Sequence, residues 1–242
     1  MKSDLPSQTV YALEDLDQWP DSGISLAVLG HPVKHSLSPP MHNAALAELA
    51  KTEDAFKDWT YYKFDIQPDQ LREALQQFHA KGFRGLNLTV PHKVLAAQWV
   101  TAGEAEVELS GACNTLLKTK DGFTGFNTDL YGLTRAVESE FGIQLKDREV
   151  ILLGAGGAAR AAAIACAQAG VQALTLANRT LSKLNIILES LHQLDSKPAL
   201  RTCSLPGDLT HESDNLLVIN ATSLGLRATD PAPADLANLP SS

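Results

Sequence analysis

The chain has 242 residues, 44% of them hydrophobic, with a formal net charge of −8 at pH 7 and an isoelectric point near 5.3. This composition is typical of a soluble globular protein, and the acidic charge argues against nucleic acid or an anionic membrane as a partner, because no basic field attracts phosphate. Three cysteines without metal-type spacing favour reduced thiols, which predicts a cytoplasmic protein.

Residues 1–22 carry interspersed acidic side chains and no continuous apolar run. A signal peptide or membrane anchor needs such a run, so we expect neither and interpret this stretch as a polar leader. After it, strands and helices are predicted to alternate: a strand over 24–29, a helix over 39–50, a strand over 61–66 and a helix from 71 to about 82. Ser38 stands before two prolines, an order typical of a helix N-cap.

The segment 85–90 alternates apolar and polar residues and is therefore predicted to be a strand. Val90 belongs to the apolar face of this strand, whereas Asn87 and Thr89 share the polar face. Pro91 cannot donate a hydrogen bond to a β-ladder, so the strand should end there.

Lys93 then falls in the first turn of a helix predicted over 93–100. The helix dipole mildly disfavours a cation at this position, which slightly favours a functional lysine. An ordinary surface charge is the alternative. Two further strands are predicted over 112–117, which contains Asn114, and over 123–126.

A helix predicted over 129–141 begins at Asp129, and the composition then changes. A continuous apolar strand over 149–153 opens a second α/β region. Its later elements are predicted as a helix ending near 170, a strand over 173–177, a helix over 181–194 and a strand over 216–219. Parallel strands with crossover helices imply a doubly wound domain. We therefore predict an α/β protein with two domains, 1–128 and 129–242.

A glycine-rich loop follows the 149–153 strand directly. It matches the G-x-G-x-x-G/A fingerprint, whose backbone amides cradle a dinucleotide pyrophosphate, with the residues Gly154, Ala155, Gly156, Gly157, Ala158 and Ala159. A purely structural glycine turn is the alternative reading. The position between a strand and a helix favours a dinucleotide site.

The next strand ends in Asn178, Arg179 and Thr180. NAD enzymes usually carry an acid there for the ribose hydroxyls, and an acid would repel the 2′-phosphate of NADP. Arg179 can instead pair with that phosphate or stack on adenine, and its neighbours can add hydrogen bonds. A solvated arginine beside a threonine cap is the alternative, but the glycine loop favours NADP as the cofactor.

The histidines in the first half raise the question of a metal. His35, His42 and His92 have no carboxylates at ligand spacing, so satisfied or solvated histidines are the preferred interpretation. We expect no metal.

Further motifs stand in a fixed order along the chain. They are 30–43 (GHPVKHSLSPPMHN), 87–93 (NLTVPHK), 111–115 (GACNT), 125–129 (GFNTD), 178–180 (NRT) and 220–225 (NATSLG), with the glycine loop between the fourth and the fifth. In order and spacing they resemble the shikimate dehydrogenase family over residues 24–226. The resemblance implies reversible, NADPH-dependent reduction of 3-dehydroshikimate to shikimate in chorismate and aromatic amino acid biosynthesis.

The resemblance also implies roles for individual residues. Lys93 and Asp129 would be the catalytic pair, and the substrate would be bound by Ser36 and Ser38 at its carboxylate and by Asn87, Thr89 and Asn114. The cofactor would be bound by Gly154, Ala155, Gly156, Gly157, Ala158, Asn178, Arg179, Thr180, Thr222 and Ser223. The chemistry fits, because negative charge grows on a ketone oxygen as hydride arrives and an ammonium stabilises or protonates it. The sequence leaves open which of the pair transfers the proton.

Each role has a structural alternative: Ser38 or Asp129 as a helix cap, and Asn114 as a turn residue. Leu88 and Cys113 depart from the family pattern in packing rather than chemistry.

Relatives continue past the 220–225 loop into helices that supply a substrate-contacting glutamine, so we expect a C-terminally truncated form with poor activity. Alternative functions are a quinate/shikimate dehydrogenase using NAD(P), and a non-catalytic sensor of pathway metabolites. We expect a monomer or homodimer with small-molecule ligands only.

Overall fold

The computed structural model describes residues 5–205, 209, 213–225 and 229–235. The chain divides into two compact units. The first comprises Met1–Val107 and Ala112–Asn127, and the second comprises Glu108–Gly111 and Thr128–Ser242.

The first unit is built on a seven-stranded sheet. Its strands are β1 (Val10–Tyr11), β2 (Ile24–Gly30), β3 (Trp59–Asp65), β4 (Gly85–Leu88), β5 (Ala102–Gly103), β6 (Thr115–Lys118) and β7 (Phe123–Phe126). The helices in this part of the chain are α1 (Ser38–Leu49), α2 (Leu71–Ala80), α3 (His92–Ala96) and α4 (Ala105–Ser110). The strand order is β1-β3-β2-β4-β6-β7-β5, with β1 to β4 mutually parallel and β6 antiparallel to both β4 and β7. The carboxyl ends of β2, β3 and β4 therefore meet at one edge, where β6 begins.

The prediction of a polar leader is wrong for the segment that precedes β2. Tyr11 lies in β1, which pairs with β3, and a 3-10 helix spans Leu13–Gln18. Trp19 is buried against Tyr62 and Tyr11, with ring centroids 4.9 Å and 5.2 Å away in edge-to-face geometry. These rings, together with Phe64 and Phe83, form one aromatic cluster in the core of the first unit. Such pairs add about 0.5–1.5 kcal/mol beyond area burial, which fixes this segment to the sheet.

The end of β4 also differs from the prediction. The strand stops at Leu88, and Val90 is 55% exposed rather than buried on the apolar face. The chain turns here, since the amide of His92 donates to the carbonyl of Thr89 at 2.8 Å. Side chains alternate between the two faces of a sheet only within a strand. Because the strand ends before Val90, the position of this residue in the alternating pattern no longer predicts the face on which its side chain lies.

Helix α3 is shorter than predicted, because the backbone hydrogen bonds after Ala96 change from the α-helical to the 3-10 pattern. The amides of Gln98 and Trp99 donate to carbonyls three residues earlier, as in a 3-10 turn, and that of Thr101 donates to Phe123 in β7. The sequence analysis also missed β5 and α4, which follow this turn.

The second unit contains a four-stranded sheet that is parallel throughout. Its strands are β8 (Glu149–Leu153), β9 (Ala173–Asn178), β10 (Ala199–Ser204) and β11 (Leu216–Asn220), in the order β10-β9-β8-β11. Its helices are α5 (Asp129–Phe141), α6 (Gly157–Gln168) and α7 (Asn185–His192). The predicted 181–194 helix is divided into a 3-10 turn, Leu181–Leu184, and α7, and β10 was not predicted. The predicted α/β fold class with a doubly wound domain is confirmed.

Small side chains bring α6 close to its sheet. The helix buries a run of alanines around Ile164 and Cys166. Burial raises the pKa of the Cys166 thiol, and likewise that of Cys113 in the first unit, to about 12. Within the described ranges, no helix is long and apolar enough to cross a membrane.

Candidate active site

The serine loop, residues 31–38, joins β2 to α1 and carries two predicted substrate residues. The Ser36 hydroxyl accepts a hydrogen bond from the Ser38 amide at 3.3 Å, so Ser36 satisfies a donor at the start of the helix. Ser38 itself is the first residue of α1 and makes no capping bond. Its predicted role as N-cap is therefore wrong, because the helix starts one residue earlier than expected. The Ser38 side chain instead lies beside the Tyr61 hydroxyl in β3, where it partly offsets the rise that burial causes in the pKa of this phenol.

A hydrogen-bonded network beside this loop links β3, β4 and β6. The Tyr61 hydroxyl donates to Oδ1 of Asn87 at 2.7 Å, and Nδ2 of Asn87 donates to Oγ1 of Thr115 at 3.1 Å. The Thr115 hydroxyl in turn donates to Oδ1 of Asn114 at 3.0 Å. Two predicted substrate residues, Asn87 and Asn114, are thus joined through Thr115, and Tyr61 holds Asn87 from the side of Ser38. The sequence analysis assigned no role to Tyr61 or Thr115.

Thr89 lies at the same edge of the sheet, just past the end of β4. Its amide donates to the carbonyl of Leu29 at 2.9 Å, which continues the pairing of β4 with β2. A Cβ at Gly30 would collide with the Thr89 methyl group. Glycine at position 30 therefore allows Thr89 to sit directly over the end of β2.

Lys93 is half-buried in α3. Its carbonyl accepts a hydrogen bond from the Cys113 amide at 2.9 Å, and the next amide, of Asn114, donates to Phe126 at 3.0 Å. These backbone bonds tie α3 to the segment that carries Asn114 at the same edge. Asp129, by contrast, belongs to the second unit, where it is the first residue of α5.

The histidines near this edge have protein partners. His31 pairs with Asp65, His42 stacks on Tyr61 at 4.3 Å between ring centroids, and Nε2 of His92 lies 2.9 Å from the carbonyl of Ile66. Among the described residues, no group of three or more histidine, cysteine or acidic side chains is arranged to hold a metal ion.

His92 gives a prediction for the dependence of stability on pH. Burial lowers its pKa from the ordinary value of 6.5, and with the smaller effect of His31 in the same direction it outweighs the hydrogen bond to Ile66 and the charge of Asp65. Below about pH 6.5 the unfolded chain takes up a proton that the folded chain resists. The free energy of unfolding should therefore fall as pH decreases below 6.5, and less steeply in His92→Asn. Thermal melts between pH 7.5 and 5 measure this difference. The same substitution at exposed His192 is the control, and equal slopes in the two variants would contradict the assignment.

In the second unit, the glycine loop joins β8 to the start of α6. Gly154 has a φ of 116°, and a Cβ there would stand 2.8 Å from the carbonyl oxygen of Ala221. Gly156 precedes the first turn of α6, no side chain caps the amides of that turn, and a Cβ at Gly156 would meet nothing within 4 Å. Uncapped amides beside open space at a helix N-terminus suit an anionic ligand.

Two further loops flank the glycine loop at the carboxyl ends of the parallel strands. After β9, Nδ2 of Asn178 donates to the carbonyl of Thr180 at 2.8 Å, and this turn presents Arg179 on the surface. After β11, Oδ1 of Asn220 accepts from the amide and the hydroxyl of Thr222 at 3.0 and 2.7 Å. The turn that contains Thr222 and Ser223 is therefore fixed beside Gly154.

Comparisons with known proteins agree with this arrangement. Residues 28–116 match the family model for the shikimate dehydrogenase substrate binding domain, and residues 135–223 match the model for shikimate / quinate 5-dehydrogenase. The NADP(+) shikimate dehydrogenase of Rubrobacter xylanophilus is 37% identical over 209 residues, which cover 86% of this chain and 70% of that relative. The enzyme of the same name from Moorella thermoacetica is 39% identical over 202 residues, covering 83% and 66%.

Solved structures lead to the same family. The crystal structure of shikimate dehydrogenase from Aquifex aeolicus has a TM-score of 0.74 at 30% identity, covering 87% of this chain and 73% of that one. The Thermus thermophilus shikimate 5-dehydrogenase, solved in complex with NADP(H) and shikimate, has a TM-score of 0.69 at 35% identity, covering 84% and 70%. Sequence motifs, sheet topology and relatives thus agree, and the chain belongs to the shikimate dehydrogenase family.

Proposed function

We propose that this protein catalyses the reversible NADPH-dependent reduction of 3-dehydroshikimate to shikimate, a step of chorismate and aromatic amino acid biosynthesis. The observation that carries the proposal is the network at the sheet edge of the first unit. It joins Asn87 and Asn114, and Ser38 lies beside its Tyr61 hydroxyl; the family resemblance assigns all three residues to the substrate.

The residue types at this edge suit a small polyhydroxylated acid. The hydroxyls of Ser36 and Ser38 can donate to a carboxylate, and Thr89, Asn87 and Asn114 offer donors and acceptors to ring hydroxyls. Since the chain has a net negative charge, recognition of an acidic substrate depends on such local donors.

Residues of the second unit fit NADP. The loop formed by Gly154, Ala155, Gly156, Gly157 and Ala158 would hold the pyrophosphate with its amides, except that of Gly154, which donates to the carbonyl of Ala177 at 2.8 Å. Thr222 and Ser223 would border the pyrophosphate, and Asn178, Arg179 and Thr180 would hold the adenosine 2′-phosphate. The bound cofactor supplies the hydride. No acidic side chain follows β9 to repel the extra phosphate of NADP.

We propose Lys93 and Asp129 as the catalytic residues. The Lys93 ammonium would stabilise the negative charge that grows on the substrate oxygen, an interaction stronger in the transition state than in the ground state. Asp129 is the second member of the pair that the resemblance assigns, and its carboxylate would take part in the proton transfer.

The protein is further proposed to be cytoplasmic, because its described cysteines are free and two of them are buried thiols. The protein is also proposed to be a monomer or a homodimer, and light scattering of the purified protein would distinguish the two.

The direct test is to follow NADP reduction by absorbance with shikimate as the substrate, and to repeat it with NAD and with quinate. The proposal expects turnover of shikimate with NADP at a kcat/KM at least ten times higher than with NAD or with quinate. Turnover of quinate with NAD at an equal rate would favour a quinate/shikimate dehydrogenase. Binding of shikimate without turnover would favour a metabolite sensor.

A further inference from the structure

The loop that carries Ser36 and Ser38 lies along one face of β3. Side chains two residues apart on this strand point to the same face, and each reaches a different part of the loop. Asp65 pairs with His31 and accepts the Val33 amide at 3.3 Å. Lys63, which is buried, donates to the carbonyl of Lys34 at 3.2 Å. The first part of the loop is therefore fixed without the help of Tyr61.

Tyr61 is the third residue on this face, and it lies beside Ser38, at the end of the loop that the others do not reach. Its hydroxyl donates to Oδ1 of Asn87 in β4 at 2.7 Å. Burial raises the pKa of this hydroxyl, so the group stays protonated and can donate at any physiological pH. One hydroxyl thus holds a residue proposed for a ring hydroxyl and adjoins one proposed for the substrate carboxylate.

The ring of Tyr61 is held independently of its hydroxyl. It stacks on His42 with an interplanar angle of 9°, and its backbone exchanges two hydrogen bonds with the Asn43 side chain, at 2.8 and 2.9 Å. Both partners lie in α1, so removing the hydroxyl alone leaves the strand, the helix and the ring in place.

The bond from Tyr61 also sets the orientation of the Asn87 amide. Because Oδ1 accepts from Tyr61, Nδ2 is directed at Thr115, whose hydroxyl then donates to Asn114. An amide without this donor can rotate and exchange its oxygen with its nitrogen. The Asn87 amide is therefore held by this phenol at Oδ1, and by Thr115 and the Asn114 carbonyl, 3.1 and 3.4 Å away, at Nδ2.

We propose that Tyr61 is a positioning residue for the substrate, whose hydroxyl holds Asn87 in the orientation that binds shikimate. The proposal rests on the function proposed above. It assigns Tyr61 no contact with the reacting atoms, since it acts through Asn87.

The test is Tyr61→Phe in the full chain, with Tyr62→Phe as the matched control. Tyr62 is the next residue of the same strand, faces the core, and its hydroxyl has no hydrogen-bond partner among the described residues. Loss of one or two neutral hydrogen bonds corresponds to about a 5- to 30-fold change. Tyr61→Phe should raise the KM for shikimate by this factor while the KM for NADP and the Tm change little. Tyr62→Phe should match the wild type.

A double-mutant cycle with Asn87→Ala adds a readout that a structural role would not move. If Tyr61 acts through Asn87, the two substitutions together should cost less than the product of their separate effects. Independent effects, a KM equal to that of Tyr62→Phe, or a fall in Tm that accompanies equal losses for both substrates would each overturn the proposal. If the wild type fails to oxidise shikimate, the proposed function fails. In that case, calorimetric titration of shikimate into the wild type and the Tyr61→Phe variant tests the positioning role. Equal affinities in the two proteins, or binding by neither, would overturn it.

Discussion

Replacing Lys93 by alanine is expected to lower kcat for shikimate oxidation by about 10²- to 10⁴-fold, the range for a positioned acid or base. The side chain is half-buried. The hydrogen bond between the Lys93 carbonyl and the Cys113 amide holds the backbone of α3 at the sheet edge where the proposed substrate residues lie. Because the ammonium is proposed to act on charge that develops during the reaction, the KM for shikimate should change little.

Exposed Lys120, in the turn between β6 and β7, is the control for charge. Lys120→Ala should keep wild-type kinetics, and Lys93→Ala should keep the wild-type Tm. A Lys93→Ala enzyme with near-normal kcat would show that Lys93 is an ordinary charge, and one that loses activity because it unfolds would show that its role is structural.

Replacing Arg179 by alanine is expected to weaken NADP binding by roughly 10- to 200-fold, because a charge-assisted hydrogen bond contributes about 1.5–3 kcal/mol. Affinity for NAD should stay nearly constant, since NAD lacks the 2′-phosphate. Arg179 is exposed on the turn that Asn178 and Thr180 close, so its loss should not disturb the sheet. Fluorescence titration with NADPH and NADH measures both affinities.

Arg135→Ala serves as the matched control in the same unit. Arg135 is exposed on α5 and pairs with Glu138, and such surface pairs contribute little. An equal loss of NADPH and NADH affinity in Arg179→Ala would assign this arginine to adenine stacking or to structure rather than to the phosphate.

The elements predicted best are those with strong local patterns. Strand β8 and helix α5 begin and end at the predicted residues, because the apolar pattern of each element stops clearly at both ends. The edge strand β1 could not be predicted, since two residues carry no period, and its pairing with β3 joins residues some fifty positions apart.

The candidate site shows the same limit. Motifs identified Ser38, Asn87 and Asn114 as a group. Thr115 stands in the 111–115 motif but was assigned no role, and Tyr61 lies outside every motif. These two residues complete the network only after β3, β4 and β6 pair. The alternation of Tyr61, Lys63 and Asp65 along β3 was a usable signal, because polar groups at every second position of a buried strand need partners. Ser38 was misassigned as a cap because the cap is decided by one residue of helix register.

The aromatic cluster around Trp19 also provides a spectroscopic probe. The three tryptophans of the chain, Trp19, Trp59 and Trp99, all belong to the first unit. Trp19 is buried among rings, whereas Trp99 is 44% exposed, so intrinsic fluorescence combines a shielded and a solvated emitter from the same unit. Tryptophan emission therefore reports the melting of the substrate unit alone, while circular dichroism follows both. A fluorescence transition that separates from the dichroism transition would reveal that the two units unfold independently.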